Sequence, residues 1–328
     1  MTEPIEEHQG ITARGLARSF GDVHAVRDAS FDALPGRITG LVGPNGAGKT
    51  TLLLMLASLL TPDAGGLRVA GADPVADAAS VRARTGWMPD ALGAWEALTA
   101  RETLVVAGRL YDMPKALAAE RADELLEEVG LAPLASSPAR VLSRGQKQLL
   151  SLARALVHRP GVLLLDEPAS GLDPAARIAL RAHLRRLADE GAAVLISSHV
   201  LSELEEMVDD AVFLAGGRTV SGQGEGAQTP RAREWRIRVV GSRDGGAEAW
   251  RERASAALGG AQTRVARRDL VAEFRDEEHA AKSLGALVGA GVPVAEFAPL
   301  AGDLESAFLD LDGAAPPADP RQTEGGAR

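Results

Sequence analysis

The sequence predicts an α/β fold with a mixed sheet core, an antiparallel β edge and a helical subdomain, followed by a small α+β module. Three observations support this prediction. A short aliphatic strand at 38–42 runs directly into a glycine-rich loop and then into a helix. A second aliphatic strand, at 162–165, ends in two adjacent carboxylates. After residue 216 the strand and helix pattern gives way to a stretch rich in Gly, Gln and Thr, which indicates a domain boundary.

The composition limits the kinds of protein that this chain can be. Its 328 residues suggest about two domains, and the 45% hydrophobic share is enough for a sizeable core. The net charge of −9 argues against a general nucleic-acid binder, so we expect no nucleic-acid partner. The absence of cysteine excludes disulfides and thiolate metal sites.

The hydropathy pattern contains no candidate membrane span. No apolar run approaches the roughly 20 residues that cross a bilayer, and residues 1–10 are too acidic and polar for a signal peptide. We therefore expect a soluble chain, for which any membrane role comes through a partner.

Two antiparallel strands are predicted before the glycine-rich loop, at 11–20 and 23–31. Phe20 lies just before the turn that joins them. An aromatic side chain near a strand end usually belongs to the core, but upstream of a phosphate-binding loop it also suits stacking against adenine. Both interpretations of Phe20 stay open at this point.

The glycine-rich loop fits the phosphate-binding pattern G-x-x-x-x-G-K-[ST]. Its residues are Gly43, Pro44, Asn45, Gly46, Ala47, Gly48, Lys49, Thr50 and Thr51. Glycines let backbone N–H groups close around phosphate oxygens, and the N-terminus of the following helix attracts the same anion. Lys49 can reach the β- and γ-phosphates, and the Thr50 hydroxyl can ligate Mg²⁺. Only four lysines occur in the chain, which argues against a chance match.

The segment from about 87 to 140 is predicted to be a helical insertion between strands. Upstream of it a strand is predicted at 67–70. Thr99 and Glu102 form a capping box that starts the first helix of the insertion. The next long helix begins near Ser143, so that this hydroxyl and the amide of Gly145 form a second site for an anion.

Asp166 and Glu167 follow the second aliphatic strand directly. Because adjacent strand residues point to opposite sides, the two carboxylates should have different roles. The first suits Mg²⁺, usually through water, and the second can orient and deprotonate an attacking water. The alternative is that both only solvate the strand end, and the phosphate-binding loop upstream disfavours it.

Two further polar residues lie beside the predicted site. Asp173, which precedes Pro174, is a natural helix N-cap, and that structural role alone could explain it. His199 ends a buried strand at 193–198, where it could hold the γ-phosphate, although a lone histidine is more often structural.

In chain order, these residues resemble the ATP-binding-cassette (ABC) ATPases, which have the P-loop NTPase fold, over about residues 11–226. The similar positions are Phe20 for the adenine-stacking loop, 43–51 for Walker A, Ser143, Arg144, Gly145 and Gln146 for the signature segment, 163–167 for Walker B, Asp173 for the D-loop and His199 for the switch histidine. The resemblance implies ATP and Mg²⁺ as cofactors and ATP hydrolysis as the activity. It implies catalytic roles for Lys49, Asp90, Glu167 and His199, and metal contacts from Thr50, Asp90 and Asp166.

The chain departs from the family pattern at two positions. Asp90 stands where the family usually has Gln, which puts its contact with Mg²⁺ in doubt. Arg144 replaces a glycine of the signature segment, while Ser143 and Gly145 are retained, so we expect phosphate binding there to survive.

The resemblance also implies partners. In the family, the signature segment completes the site of the opposite protomer, so we expect a homodimer of ATPase domains or a heterodimer with a paralogue. An exporter-type subunit would bind a separate integral membrane permease and lie in the cytoplasm, peripheral on the inner face of the cell membrane. Trp87, Met88 and Trp95 are candidates for receiving the permease, with core packing as the alternative.

A second domain is predicted at 231–312. Strands and helices are expected there in the order β-α-β-β-α-β, which suggests a small ferredoxin-like α+β module. A helix at 302–309 resembles the closing segment of exporter-type ABC ATPases, and residues 313–328 are predicted to be a disordered tail.

Two other functions are weighed against the exporter subunit. One is a soluble ABC-type ATPase that acts on DNA or ribosomes, which the single P-loop, the acidic charge and the lack of heptad repeats disfavour. The other is a regulatory ATP-binding subunit without catalysis, which Asp90 alone motivates and the intact carboxylate pair opposes.

Overall fold

The computed structural model describes residues 9–90, 95, 97–220, 233–240, 246–259, 263–266 and 268–300. The chain groups into two compact units that divide between Gly222 and Gln223. In the described residues, no helix is both long enough and apolar enough to cross a membrane.

The described strands of the first unit form one mixed sheet. They are β1 (Ile11–Phe20), β2 (Val23–Ala33), β3 (Ile38–Val42), β4 (Ala64–Val69), β5 (Thr85–Met88), β6 (Val162–Asp166), β7 (Ala193–Ser198), β8 (Asp210–Ala215) and β9 (Arg218–Val220). Their order across the sheet is β4-β1-β2-β9-β8-β3-β7-β6-β5. The block from β8 to β5 is parallel, whereas β1 pairs antiparallel with both β2 and β4. The predicted mixed core with an antiparallel edge is therefore confirmed.

Helices connect and cover these strands. They are α1 (Lys49–Leu56), α2 (Ala78–Arg84), α3 (Ala100–Leu110), α4 (Lys115–Glu128), α5 (Arg144–Leu156), α6 (Pro174–Asp189) and α7 (Leu201–Glu205). Every residue of β3, β6 and β7 is buried, because helices cover both faces of a parallel sheet. The carboxyl ends of these three strands therefore meet at one edge of a rigid, dry core.

The helical insertion begins later than predicted. Trp87 and Met88 belong to β5, where they pair in register with Leu164 and Leu165 of β6. Met88 is 1% exposed, and Trp87 is half-buried against the main core, so core packing is their observed role and partner docking is wrong for Met88. A strand of four residues has too short a pattern to recognise alone; its hydrogen-bonding partner β6 defines it.

Two other strands differ from the expectations. β4 begins at Ala64, three residues before the predicted 67, and includes Gly65 and Gly66, which are more typical of a turn. β9 lies inside the stretch that was expected to be a boundary, where it pairs with β8 and, at one position, with β2.

The second unit is an antiparallel sheet with helices on one side. Its elements are β10 (Arg233–Val239), α8 (Gly246–Ala257), β11 (Arg264–Ala266), β12 (Asp269–Phe274), α9 (Glu277–Gly289) and β13 (Val294–Pro299). The strand order is β11-β12-β10-β13, and every pairing is antiparallel. The predicted ferredoxin-like arrangement is thus confirmed, while the predicted helix at 302–309 and the tail at 313–328 lie outside the described residues.

The core of the second unit lies between its sheet and its helices. Ile237, Leu270 and Phe274 point inward from the strands, and Ala254 and Leu287 meet them from α8 and α9. This core is separate from that of the first unit, and the candidate active site belongs wholly to the first unit.

Candidate active site

The phosphate-binding loop joins the end of β3 to the first residue of α1. Gly48 forms the N-cap of α1 with φ +104°, and a Cβ there would lie 2.3 Å from the carbonyl oxygen of Ala25. A Cβ on Gly43 would lie 2.3 Å from the carbonyl oxygen of Leu214. Both approaches are shorter than any real contact, so the fold itself requires glycine at these two positions.

Lys49 is folded back onto its own loop. Its Nζ donates to the carbonyl oxygens of Gly43, at 2.7 Å, and Pro44, at 3.2 Å. Burial lowers the pKa of the ammonium, and the negative charges of Glu167 and Asp166 oppose that shift. The ammonium group is therefore bonded to two neutral carbonyl oxygens. Negatively charged phosphate oxygens would be stronger acceptors and could take their place.

Asp166 ends β6 and is bonded on both carboxylate oxygens. Oγ1 of Thr50 donates to Oδ2 over 3.0 Å, and Oγ of Ser197 donates to Oδ1 over 2.5 Å. A hydroxyl and a buried carboxylate oxygen side by side are hard ligands that fit Mg²⁺, which usually takes one or two protein oxygens besides phosphates and water. In the described part of the chain, no three acidic, His or Cys side chains form a metal cage.

Glu167 has an unusual backbone. Its φ is +52°, in the left-handed region that costs a non-glycine residue about 1–3 kcal/mol. Its amide donates to both the carbonyl and the hydroxyl oxygen of Ser197, and its own carbonyl accepts from Nε2 of Gln148 at 2.9 Å. Its Oε2 lies 2.9 Å from Nδ1 of His199. The surroundings thus fix a strained backbone that directs the carboxylate toward His199.

One cavity of about 500 Å³ unites most of the predicted residues. Asn45, Gly46, Gly48, Lys49, Thr50, Thr51, Asp90, Arg144, Asp166, Glu167 and His199 line it. Three residues of the loop do not line the cavity: Gly43, Pro44 and Ala47. The other predicted residues outside its wall are Phe20, Ser143, Gly145, Gln146 and Asp173. The remaining wall comes from Val23, His24 and Ala25, which sequence reasoning did not identify, and from Ser170, the first residue of the segment 170–173 that resembles the D-loop.

Phe20 is not a core residue. It ends β1 with 48% of its surface exposed, so the core interpretation is wrong. The guanidinium of Arg18 lies 5.0 Å from the ring centroid, and Arg18 is itself bonded to Asp63 at 2.7 Å. The ring is an exposed platform with a fixed cation on one side, and it could stack against an adenine.

The second anion site predicted from the sequence falls at the N-terminus of α5. Ser143 is the N-cap, and it exchanges hydrogen bonds with Gln146 in a capping box. The Gln146 side chain is therefore hydrogen-bonded to the N-cap of its own helix. The Arg144 side chain contacts the turn after β6 of the same chain, where its Nη2 donates to Oγ of Ser170 over 3.0 Å.

Asp173 caps α6. Its Oδ1 accepts from the amide of Ala176 over 2.9 Å, and Pro174 occupies the first helical position. The structural role that the sequence offered for Asp173 is therefore present, and its carboxylate has no place in the cavity wall.

Comparisons with known proteins agree with this geometry. The ABC transporter family model matches residues 26–170. The daunorubicin resistance ATP-binding protein DrrA3 of Streptomyces coeruleorubidus is 38% identical over 211 residues, which are 64% of this chain and 67% of that protein. The Nod factor export ATP-binding protein I of Burkholderia lata is 40% identical over 64% of this chain and 69% of that protein. The ABC transporter ATP-binding protein NatA of Bacillus subtilis is 35% identical over 64% of this chain and 87% of its own length.

Solved structures give the same result for the fold. An ATP-binding subunit of an ABC transporter superposes with a TM-score of 0.60 at 29% identity, over 64% of this chain and 88% of that one. A dimeric ATP-binding cassette in a post-hydrolysis state with ADP and phosphate also has a TM-score of 0.60, over 64% of this chain and 97% of that one. At 22% identity it supports the fold alone. The chain therefore belongs to the ABC transporter family, as one of its ATP-hydrolysing subunits.

Proposed function

We propose that this subunit powers export through a separate integral membrane permease, by ATP-driven closure of a dimer of ATPase domains. The observation that carries the proposal is the meeting of Lys49, Asp166, Glu167 and His199 around one cavity. A cation for phosphates, a metal ligand and a base are parts that catalyse phosphoryl transfer to water, and the histidine lies beside the base.

In the proposed reaction the loop amides and the N-terminus of α1 hold the phosphates of ATP. Lys49 exchanges the carbonyls of Gly43 and Pro44 for β- and γ-phosphate oxygens. Thr50 and Asp166 would hold Mg²⁺, which would neutralise negative charge on the phosphates.

Glu167 then acts as the general base. Its carboxylate takes a proton from water as the water oxygen bonds to the γ-phosphorus, and the bond from that phosphorus to the bridging oxygen breaks, leaving ADP. In this proposal His199 orients the carboxylate and holds the γ-phosphate, and its contact with Glu167 at 2.9 Å supports the first of these roles. Asp90, on the cavity wall, takes the place of the usual glutamine beside the attacking water.

A second copy completes the site in this proposal. Ser143 and the amide of Gly145 lie at a helix N-terminus but outside the cavity of their own chain, so their anion site is free to meet the nucleotide of another protomer. A two-fold axis would use both sites at once, as a homodimer or with a paralogue. ATP favours closure because it contacts both protomers. ADP does not favour closure once phosphate has been released, because it no longer contacts both.

Export and the permease rest on the relatives. Two of the similar proteins are named for daunorubicin resistance and for Nod factor export. The subunit would bind the inner face of the cell membrane through its permease. Trp95, which is 43% exposed, remains a candidate for that contact.

The test is co-expression of a tagged subunit with a candidate membrane permease, followed by purification in detergent. We expect a stable complex whose ATPase activity is lost in the Glu167→Gln variant. A subunit that hydrolyses ATP but never retains a membrane protein would contradict the transport role, and full activity in the variant would contradict the assignment of the base.

A further inference from the structure

Two side chains of α5 hold the turn formed by residues 167–170, which follows β6. Nε2 of Gln148 donates to the carbonyl oxygen of Glu167 over 2.9 Å, at the start of the turn. Nη2 of Arg144 donates to Oγ of Ser170 over 3.0 Å, at its end. Both ends of the turn are thus bonded to α5.

The contact from Gln148 matters because the Glu167 backbone is strained. Its amide is bonded to Ser197 of β7, and its carbonyl accepts from only two described groups, the amide of Ser170 and the Gln148 side chain. The first lies within the turn and moves with it. Gln148, which is 2% exposed, is therefore the group that ties the Glu167 carbonyl to a neighbouring element.

The contact from Arg144 is one that a glycine could not make. Its side chain lies against Gly171, where a Cβ would be 3.0–3.2 Å from three of the arginine side-chain atoms. A Cβ on Gly145 would lie 3.1 Å from the carbonyl oxygen of Gly171. The first turn of α5 is thus packed on the backbone that follows the 167–170 turn.

We infer that Gln148 and Arg144 are positioning residues that couple the N-terminus of α5 to Glu167. These two side chains hold both ends of the 167–170 turn against α5, and so fix the backbone from which the Glu167 carboxylate projects. The inference rests on the assignment of Glu167 as the base in the proposed function.

The test compares ATP turnover in variants of the intact chain. Gln148→Met keeps the volume but removes the donor, and we expect kcat to fall about tenfold or more, with KM for ATP unchanged, because misplaced catalytic groups lose rate rather than binding. In a Glu167→Gln background the same change should lower the residual rate no further. Arg144→Ala, at an exposed position, should lower kcat by a smaller factor, and Arg144→Lys should restore most of it. Arg140→Ala, one turn earlier on the surface, is the matched control.

The outcomes separate the positioning roles of Gln148 and Arg144 from the assignment of Glu167 as the base. Full kcat in both Gln148→Met and Arg144→Ala would overturn the coupling, as would an equal loss from Gln148→Met with and without Glu167. If Gln148→Met does not fold, Arg144→Ala and its rescue by lysine decide alone. Wild-type turnover in Glu167→Gln by itself would instead refute the proposed base.

Discussion

Nδ1 of His199 lies 2.9 Å from Oε2 of Glu167, although the two residues come from the ends of different strands. β6 and β7 are parallel neighbours in register, with Asp166 opposite Ser197, so the residues that follow them emerge at the same sheet edge. Glu167 has a left-handed φ, and its carboxylate meets that histidine, whereas the carboxylate of Asp166 accepts from Thr50 and Ser197. The two adjacent carboxylates therefore have different partners.

The first prediction concerns Phe20. Replacing this exposed ring with alanine should weaken ATP binding about tenfold, since stacking of a base on an aromatic side chain contributes about 1–3 kcal/mol. Phe20→Tyr should retain wild-type affinity. Titration calorimetry with Mg-ATP measures both, and equal affinities for the alanine and tyrosine variants would show that the ring does not contact adenine.

Lys49→Ala should abolish measurable nucleotide binding. The change removes the buried cation of the loop and leaves the carbonyls of Gly43 and Pro44 without their donor. Lys115→Ala, at the exposed start of α4, is the matched control and should bind normally. An unfolding midpoint for each variant separates lost binding from lost folding, and a folded Lys49→Ala protein with normal ATP affinity would refute the phosphate-binding assignment.

Asp90→Gln should keep or raise the ATPase rate. Asp90 lines the cavity beside Glu167, and glutamine would restore the longer side chain that the family usually has there. Steady-state phosphate release measures the effect. A complete loss would show that this chain requires the carboxylate itself, as a metal ligand or a proton acceptor.

His158 makes a prediction about acid stability. Its ring stacks on Tyr111 at 3.7 Å, and Nε2–H donates to the carbonyl oxygen of Thr85 over 3.2 Å. Burial lowers its pKa from 6.5 to about 4. Between these values the unfolded chain binds the proton and the folded chain does not, so the stabilisation is complete above pH 6.5 and is lost as the pH falls toward 4.

The size of this effect is about 2 kcal/mol after allowance for the partial exposure of the ring. His158→Gln keeps a donor for Thr85 but cannot titrate in this range. Urea unfolding at several pH values between 4 and 7.5 should therefore show a shallower acid dependence in the variant. Identical slopes for the two proteins would mean that His158 titrates normally in the folded chain.

The sequence predicted structure correctly where residues close together in the chain meet the same chemical requirement. The loop spacing predicted a glycine-rich turn between a buried strand and a helix, and β3 and α1 flank it as expected. The aliphatic run before Asp166 predicted a buried strand, since a strand covered on both faces needs apolar residues throughout.

The rest depends on packing between distant segments. Gln148 reads as one more polar residue of a helix, and only the fold places it against Glu167. The sequence identifies Ser197 only as a strand residue. In the fold its hydroxyl donates to the carboxylate of Asp166 and accepts from the amide of Glu167. Phe20 could not be assigned for the same reason, because its exposure depends on how β1 and β2 meet the rest of the sheet.

The central claim is that Glu167 is the base of a site completed by a second protomer. Sedimentation of the purified Glu167→Gln variant, with and without Mg-ATP, tests it most directly. Slow hydrolysis should trap the closed state, so we expect an ATP-dependent shift from monomer to dimer that is absent with Mg-ADP and in Lys49→Ala,Glu167→Gln. A variant that binds Mg-ATP yet sediments as an unchanged monomer would contradict closure by the chain alone.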